Sequence, residues 1–303
     1  MKSRAGALPG YLAYKSFALF LAVLPRRAVL ALGGGLGRLA YRLDPKHRRI
    51  VESNLAVAFG SEMTSSERSR LSKRFFARLG RNLFDILKAT HMSAARVLGL
   101  FEVEGRAHMD RALATGKGVL LFTGHYGNWE FTIPGLVECA PLQAIHRDLD
   151  NPFIGRDLAR LREKFGAGTI SKFGAAKPVL KSLARNEIVA ILIDLNVLHS
   201  SGPVFVDFFG RPAATTPALA AFHLKTGAPI VPMFCEPLAR GRYRMTFEEP
   251  LVFERTGDHD ADVLKITQSC TKMIERRIRK RPELWFWVHK RWNTRPPGEK
   301  QTA

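Results

Sequence analysis

A histidine and an acid five residues apart lie just past an apolar run. Gly124-His125-Tyr126-Gly127-Asn128-Trp129-Glu130 follows Val119-Leu120-Leu121-Phe122. An apolar run preceded by Gly-Lys-Gly and followed by Gly-His reads as a buried strand entering a tight turn. Asn128 is then a candidate N-cap for the next helix, which would place Glu130 in its first turn. One continuous helix would set the two side chains on well-separated faces. A strand–turn–helix corner can instead fold the carboxylate back onto the imidazole. The chemistry this suggests is a histidine general base, His125, held in one tautomer by Glu130. The amides of residues 127–130, at a helix N-terminus, are candidate oxyanion donors. With no Ser or Cys in the motif, the simplest reaction is direct attack of a substrate hydroxyl on an activated acyl group. The same spacing also suits a turn histidine followed by a first-turn acid favoured by the helix dipole.

The elements that position this corner come from the whole chain. Its 303 residues carry 47 basic and 27 acidic side chains, a net charge of +20. Such an excess attracts polyanions: nucleic acid, anionic lipid or an acidic protein. Cys139, Cys235 and Cys270 form no CxxC pair, which argues against a disulfide framework or a structural zinc site and suits a reducing compartment. No metal site is expected.

The first fifty residues are strongly basic, with Asp44 their one acid, and contain the apolar stretch Phe17–Leu24. A span needs about 20 apolar residues, and Lys15 and Pro25-Arg26-Arg27 bound this stretch. No small-residue cleavage site follows it, which argues against a removable signal peptide. A second apolar segment, 28–43, is interrupted by Gly33-Gly34-Gly35, which reads as a hinge rather than a phosphate loop because no Gly-Lys-Ser/Thr follows. The pattern predicts two short interfacial helices over residues 1–45, their arginines meeting lipid phosphates. A globular helical hairpin with a solvated basic face is the other reading.

Residues 46–100 read as helical, and from 101 onward strand-like and helix-like runs alternate. Strands are predicted at 119–123, 142–147, 188–194, 204–209, 230–235 and 243–247. Helices are predicted at 130–139, 152–165, 175–186, 217–226 and 261–280, with Pro134 kinking or shortening the first. The alternation indicates an α/β domain over 46–295 with a central, mostly parallel sheet flanked by helices, followed by a disordered tail at 296–303. Chemistry in such sheets gathers at the carboxyl ends of strands. His125 and Asp194 both follow an apolar strand, so both can reach one crevice. Arg162 lies on a basic helix face, and Arg147 in the loop 146–152; each is a candidate substrate contact or simply solvated. The Trp- and Arg-rich segment 285–292 reads as a final core element, with His289 a satisfied structural histidine.

Together these residues resemble the bacterial lipid A biosynthesis (late, lauroyl/myristoyl-type) acyltransferase family. Arg48-Arg49 with Asn54-Leu55 and Ala58-Phe59 is similar to its N-terminal signature, and Gly124–Glu130 to the His-x4-acid motif shared with glycerolipid acyltransferases. Asn151-Pro152 with Arg162 and Gly166, then Asp194 with Val204–Pro212 and Thr215-Thr216-Pro217, resemble the middle blocks. Pro282-Glu283, Trp285-Phe286-Trp287, His289, Arg291-Trp292 and Thr294-Arg295 are similar to the C-terminal signature. Leu195 stands where the family often has Gln, and His146 precedes Arg147 where an aromatic is frequent.

The resemblance implies transfer of a fatty acyl chain to a hydroxyl of a lipid A precursor-type glycolipid, at the cytoplasmic face of the inner membrane. Acyl-ACP or acyl-CoA is the co-substrate it implies, with no other cofactor and with acyl carrier protein as partner. It implies His125 and Glu130 as the catalytic pair, with Arg162 and Asp194 in substrate binding or site organisation. Asn128 and Arg147 join them as candidate substrate-binding residues. Relatives with the same blocks acylate lysophospholipids or phosphatidylinositol mannosides. A basic nucleic-acid-binding protein would explain the charge, but no recognition module supports it and no nucleic acid is expected as a partner.

Overall fold

The structure, a computed structural model, describes residues 4–147, 149 and 151–299. Residues 300–303 of the expected tail, and Asp148 and Asp150 in the loop 146–152, lie outside the described residues. Four helices open the chain: α1 (Arg4–Val23), α2 (Arg26–Leu43), α3 (Pro45–Phe59) and α4 (Ser65–Ala89). There follow α5 (Ala94–Leu98), β1 (Phe101–Glu104), α6 (Arg106–Leu113), β2 (Val119–Thr123), a 3-10 turn (Trp129–Thr132) and α7 (Ile133–Val137). Next come β3 (Leu142–His146), α8 (Pro152–Lys164), β4 (Ala167–Ser171), α9 (Ala176–Ala184) and β5 (Ile188–Leu192). The chain continues through β6 (Val204–Phe208), β7 (Arg211–Thr215), α10 (Ala218–Thr226), β8 (Ile230–Pro237), β9 (Tyr243–Phe247) and α11 (His259–Lys280).

Seven strands form one sheet in the order β1-β9-β8-β2-β5-β3-β4. Every pairing in it is parallel except β8 with β9. β6 and β7 form a separate antiparallel hairpin. The expected α/β architecture with a mostly parallel sheet is therefore present. Its central strands are apolar at consecutive positions because both faces are covered. Leu120 and Phe122 of β2 join a core with α3, α4, α9, α10 and α11, whereas Val119 and Leu121 face a second core that includes α6, α7 and α8.

Three strands escape the hydrophobic pattern. β1 is a four-residue edge strand, β4 reads Ala-Gly-Thr-Ile-Ser, and β7 contains Pro212, which its place in an isolated hairpin tolerates. The predicted helix 130–139 is broken into the 3-10 turn and α7, consistent with Pro134 near the α7 start. At α4 the cap is Thr64. Its hydroxyl accepts from the Glu67 amide while the Glu67 carboxylate accepts from the Thr64 amide.

The glycine run is not a hinge. α2 continues unbroken through Gly33-Gly34-Gly35 and lies tightly along α4. A Cβ on Gly37 would sit 2.2 Å from the Phe76 carbonyl oxygen, and one on Gly80 would sit 2.2 Å from that of Gly33. The glycines allow two helix backbones to approach where side chains would hold them apart. α1 packs across α4 and α8. Phe17 meets Phe84 edge-on at 5.3 Å, Tyr11 stacks on Phe153 at 5.1 Å, and Lys88 caps the end of α1 at the carbonyls of Leu21 and Leu24. Among the described residues, no helix is long and apolar enough to cross a membrane.

Gly37→Ala and Gly80→Ala are each expected to destabilise the fold by about 1–3 kcal/mol through overpacking. Gly35→Ala, with nothing within 4 Å of the new methyl, should leave stability unchanged or raise it by up to about 1 kcal/mol. Denaturant unfolding of the three variants checks this ranking. An equal loss at Gly35 would restore the hinge.

Candidate functional site

β2 and β5 are parallel neighbours, with Thr123 opposite Leu192. Two residues further on, at the carboxyl edge, the same register brings His125 beside Asp194. The imidazole Nδ1 lies 2.8 Å from Asp194 Oδ1, and the His125 backbone N–H donates to Oδ2 at 2.7 Å. The Trp285 indole N–H donates to the same Oδ2 at 2.6 Å. Burial alone would push the Asp194 carboxyl up, but the facing His125 charge and these donors together hold it below its ordinary value. An ionised carboxylate cannot donate, so Nδ1 carries a proton, and in the neutral ring Nε2 presents its lone pair. Among the described residues nothing is hydrogen-bonded to Nε2. The ring stands edge-on to Trp129 at 4.9 Å and near Phe286 at 6.0 Å. His125, Trp129 and Phe286 line one pocket with Leu79 and Arg78.

Glu130 does not orient His125. It is buried against α8, where Arg162 grips both carboxylate oxygens: Nε donates to Oε2 at 3.0 Å and an amino nitrogen donates to Oε1. The physical reason lies in the turn. Gly127 has φ +64, and a Cβ there would fall 1.7 Å from the Cys235 carbonyl oxygen. This left-handed glycine and the 3-10 turn that follows send Glu130 toward α8 rather than back to the imidazole. The turn is locked from outside. The Gly127 amide donates to the Leu284 carbonyl at 2.9 Å, and Asn82 donates to the Gly127 carbonyl at 2.6 Å. That engagement removes the Gly127 amide from the expected oxyanion donors. The Trp129 and Glu130 amides remain at the start of the 3-10 turn, where amides have no acceptor within the helix.

Asn128 is fully buried and makes no capping hydrogen bond. Its amide donates to the Tyr243 hydroxyl at 3.2 Å, Tyr243 donates to Asp85 at 2.6 Å, and Asp85 pairs with Arg26. The N-cap expectation thus gives way to a buried polar chain tying the corner to α4 and α2. Arg147 is exposed just past the end of β3, on the sheet edge that carries His125. The structure therefore joins His125 with Asp194, and Glu130 with Arg162, as two separate pairs.

Sequence reasoning missed Trp285 as a donor to the buried carboxylate, and Trp129 and Phe286 as the walls around the imidazole. Their aromatic character alone pointed to the core. His289 is structural, as expected: its Nε2 accepts from the Asn196 amide at 2.8 Å. Burial pushes the thiols of Cys139 and Cys235 up to about 11 and about 12, so neither offers a thiolate nucleophile. Among the described residues no three His, Cys, Asp or Glu side chains gather as metal ligands. The arrangement is suited to removing a proton from a hydroxyl held between aromatic walls.

A family model described as bacterial lipid A biosynthesis acyltransferase matches residues 3–294. The chain is 29% identical over 282 residues to the lipid A biosynthesis lauroyltransferase of Escherichia coli strain K12, covering 91% of this chain and 88% of that protein. It is 25% identical over 274 residues to the lipid A biosynthesis myristoyltransferase of the same strain, covering 88% and 81%. It is also 28% identical over 221 residues to a phosphatidylinositol mannoside acyltransferase of Mycobacterium tuberculosis, covering 72% and 67%.

The site's electrostatics set its acid sensitivity. Burial holds the His289 imidazole down to about 4, from an ordinary 6.5. The folded state therefore keeps it neutral where the unfolded chain protonates it. Its share of stability is complete above 6.5 and is lost as the pH falls from there toward 4. Asp194, held below its ordinary value, adds a loss at still lower pH as it is protonated in the folded state. Thermal melts between pH 7 and 4.5 should show a falling Tm, and His289→Gln should flatten that fall. An unchanged slope in the variant would remove His289 as the cause.

Proposed function

The chain belongs to the bacterial lipid A biosynthesis acyltransferase family, and from that premise we propose that it transfers a fatty acyl chain from acyl-ACP, or acyl-CoA, to a hydroxyl of a lipid A precursor-type glycolipid at the cytoplasmic face of the inner membrane. It is an enzyme of acyl transfer. The observation that carries the mechanism is the Asp194–His125 dyad opening onto an aromatic pocket. His125 Nε2 takes the acceptor's hydroxyl proton as that oxygen attacks the thioester carbonyl. The resulting oxyanion faces the amides that open the 3-10 turn. The carbon–sulfur bond then breaks, and the imidazolium returns its proton to the leaving thiolate. Asp194 stabilises the imidazolium between these steps without becoming protonated itself. Glu130 and Arg162 act as a brace that sets the wall carrying Trp129.

Membrane association is supported by where apolar side chains are exposed. Leu12, Leu19, Phe20 and Val23 form one stripe on α1 with Ser16. Leu149, Phe173 and Leu198 are exposed on the segments after β3, β4 and β5, at the sheet edge that carries His125. An enzyme resting on lipid through these surfaces meets its acceptor without extracting it from the bilayer. The similarity to a phosphatidylinositol mannoside acyltransferase supports a second reading, in which the acceptor is another glycolipid with the same hydroxyl chemistry.

His125→Ala and Asp194→Asn are each expected to lower kcat by about 10²–10⁴-fold. The asparagine variant should fold normally and fail because its amide no longer enforces the Nδ1–H tautomer. Glu130→Gln should reduce both rate and Tm, since it strands Arg162. Purified enzyme assayed with acyl-ACP and a lipid A precursor, alongside mass spectrometry of lipids from cells with and without the gene, provides the readout. Wild-type turnover in both dyad variants would sink the mechanism, and an unchanged glycolipid profile would sink the acceptor.

A further inference from the structure

Arginines of this fold that leave water are matched to acids or, for the fully buried Arg291, to the carbonyls of Leu195 and Ala214 and the Thr215 hydroxyl. Arg26 pairs with Asp85, Arg162 with Glu130, Arg277 with Glu248 and Arg295 with Glu299. Two half-buried arginines on α4 break that pattern. Among the described residues, neither Arg78 nor Arg81 forms a hydrogen bond or an ion pair. Arg81 Nε is buried with no partner. Its guanidinium lies across α2 at Gly34, where a Cβ would stand 2.7 Å from Nε. The glycine thus provides the room in which this cation lies.

Arg78, one turn away, lines the pocket that holds His125. The charged groups around it are divided in sign. Burial is the largest influence lowering its pKa, and Arg81 and Arg281 lower it further; Glu283 and Tyr243 oppose them. Glu283 is already held by Arg281 at 3.1 Å, and Tyr243 donates to Asp85. Removing a guanidinium from water without a counter-charge is costly. Two such groups one turn apart on α4, one of them lining the His125 pocket, present donors suited to a tetrahedral dianion. The more exposed cations Arg38, Arg70, Lys73 and Arg74 surround a separate groove of about 600 Å³ further along α4. There water solvates them, so they carry no such argument.

We propose that Arg78 and Arg81 form a phosphate-binding subsite at the mouth of the His125 pocket, which takes a phosphate ester of one of the two substrates. The source is either the sugar phosphate of the glycolipid acceptor or the phosphate at the head of the donor's pantetheine arm. Either would set the reacting carbonyl or hydroxyl at a fixed distance from Nε2. The identity of the ester rests on the acyl-transfer reading; the existence of the anion subsite does not.

The test therefore has two arms. In the first, thermal melts of the wild type and of the double variant Arg78→Gln/Arg81→Gln are compared in inorganic phosphate and in chloride at equal ionic strength. Phosphate should raise the wild-type Tm and leave the variant's unchanged. In chloride the variant should be at least as stable as the wild type, because no acid loses its partner. An equal phosphate response in both proteins overturns the subsite.

In the second arm, KM is measured for a phosphorylated glucosamine disaccharide lipid and its dephosphorylated counterpart, and for acyl-phosphopantetheine and acyl-pantetheine donors. The variant should raise KM for one phosphorylated substrate by about 10-fold or more, with little change for its phosphate-free partner. Whichever pair shows the difference names the source. Equal KM changes with and without phosphate overturn the proposal. A phosphate response in the melts without any acyl transfer would instead leave the subsite standing and remove the enzymatic reading.

Discussion

Keeping one carboxylate ionised where no water reaches it is the constraint on which this site depends. Asp194 has almost no exposure, and an isolated carboxylate there would take up a proton. Three donors prevent this: the His125 ring, the His125 amide and the Trp285 indole. Arg291 adds a fourth influence. It is completely buried, bonded to the carbonyls of Leu195 and Ala214, and its charge interacts with that of Asp194. Burial lowers Arg291 only to about 10, so it remains a cation. The imidazole's tautomer is therefore set by groups from β2, from β5 and from the last stretch of the chain.

This dependence explains why the helical first third and the C-terminal segment are bound so closely to the corner. Asn54 on α3 donates to the carbonyls of Trp287 and His289 at 2.7 and 2.8 Å, fixing the strip that carries Trp285. Asn82 on α4 holds Gly127, and Leu284 receives its amide. α4 is in turn seated by α2 through the glycine contacts, and Arg26 of α2 anchors Asp85. A change on the α2–α4 seam therefore reaches His125 through two buried hydrogen-bond chains, although it lies far away in sequence.

The architecture was legible where burial on both faces leaves a continuous apolar run, as in β2, β5 and β8. It was not legible in β4 and β7, whose pairing comes from neighbours rather than from their own composition. The corner itself could be read: His125 at a strand end, in a turn, ahead of an acid. Its pairing could not. Local spacing favoured Glu130 because it is five residues away. The sheet order instead puts β5 next to β2 and brings Asp194 across 69 residues of chain to the imidazole. Asp194 was visible as a carboxylate at a strand end, but only the register Thr123–Leu192 makes it the partner. Gly33-Gly34-Gly35 misled for a similar reason. A glycine run signals freedom in isolation and close approach when a second helix lies against it.

The separation of the two acids has a mechanistic consequence. A carboxylate that both bound Arg162 and oriented His125 would share its charge between them, and the imidazolium would be correspondingly less stable. With Glu130 neutralised by Arg162 in a bidentate pair, Asp194 is left as the carboxylate facing the proton-carrying ring. In the mechanism proposed above, the His-x4-acid spacing serves a folding requirement more than a proton relay. The acid must stand five residues on because that is where a left-handed glycine and one 3-10 turn deliver it to α8. Its pairing with Arg162 holds the Trp129 wall against the imidazole. On the proposed mechanism, loss of Glu130 acts on the shape of the pocket, whereas loss of Asp194 acts on the protonation state of the base.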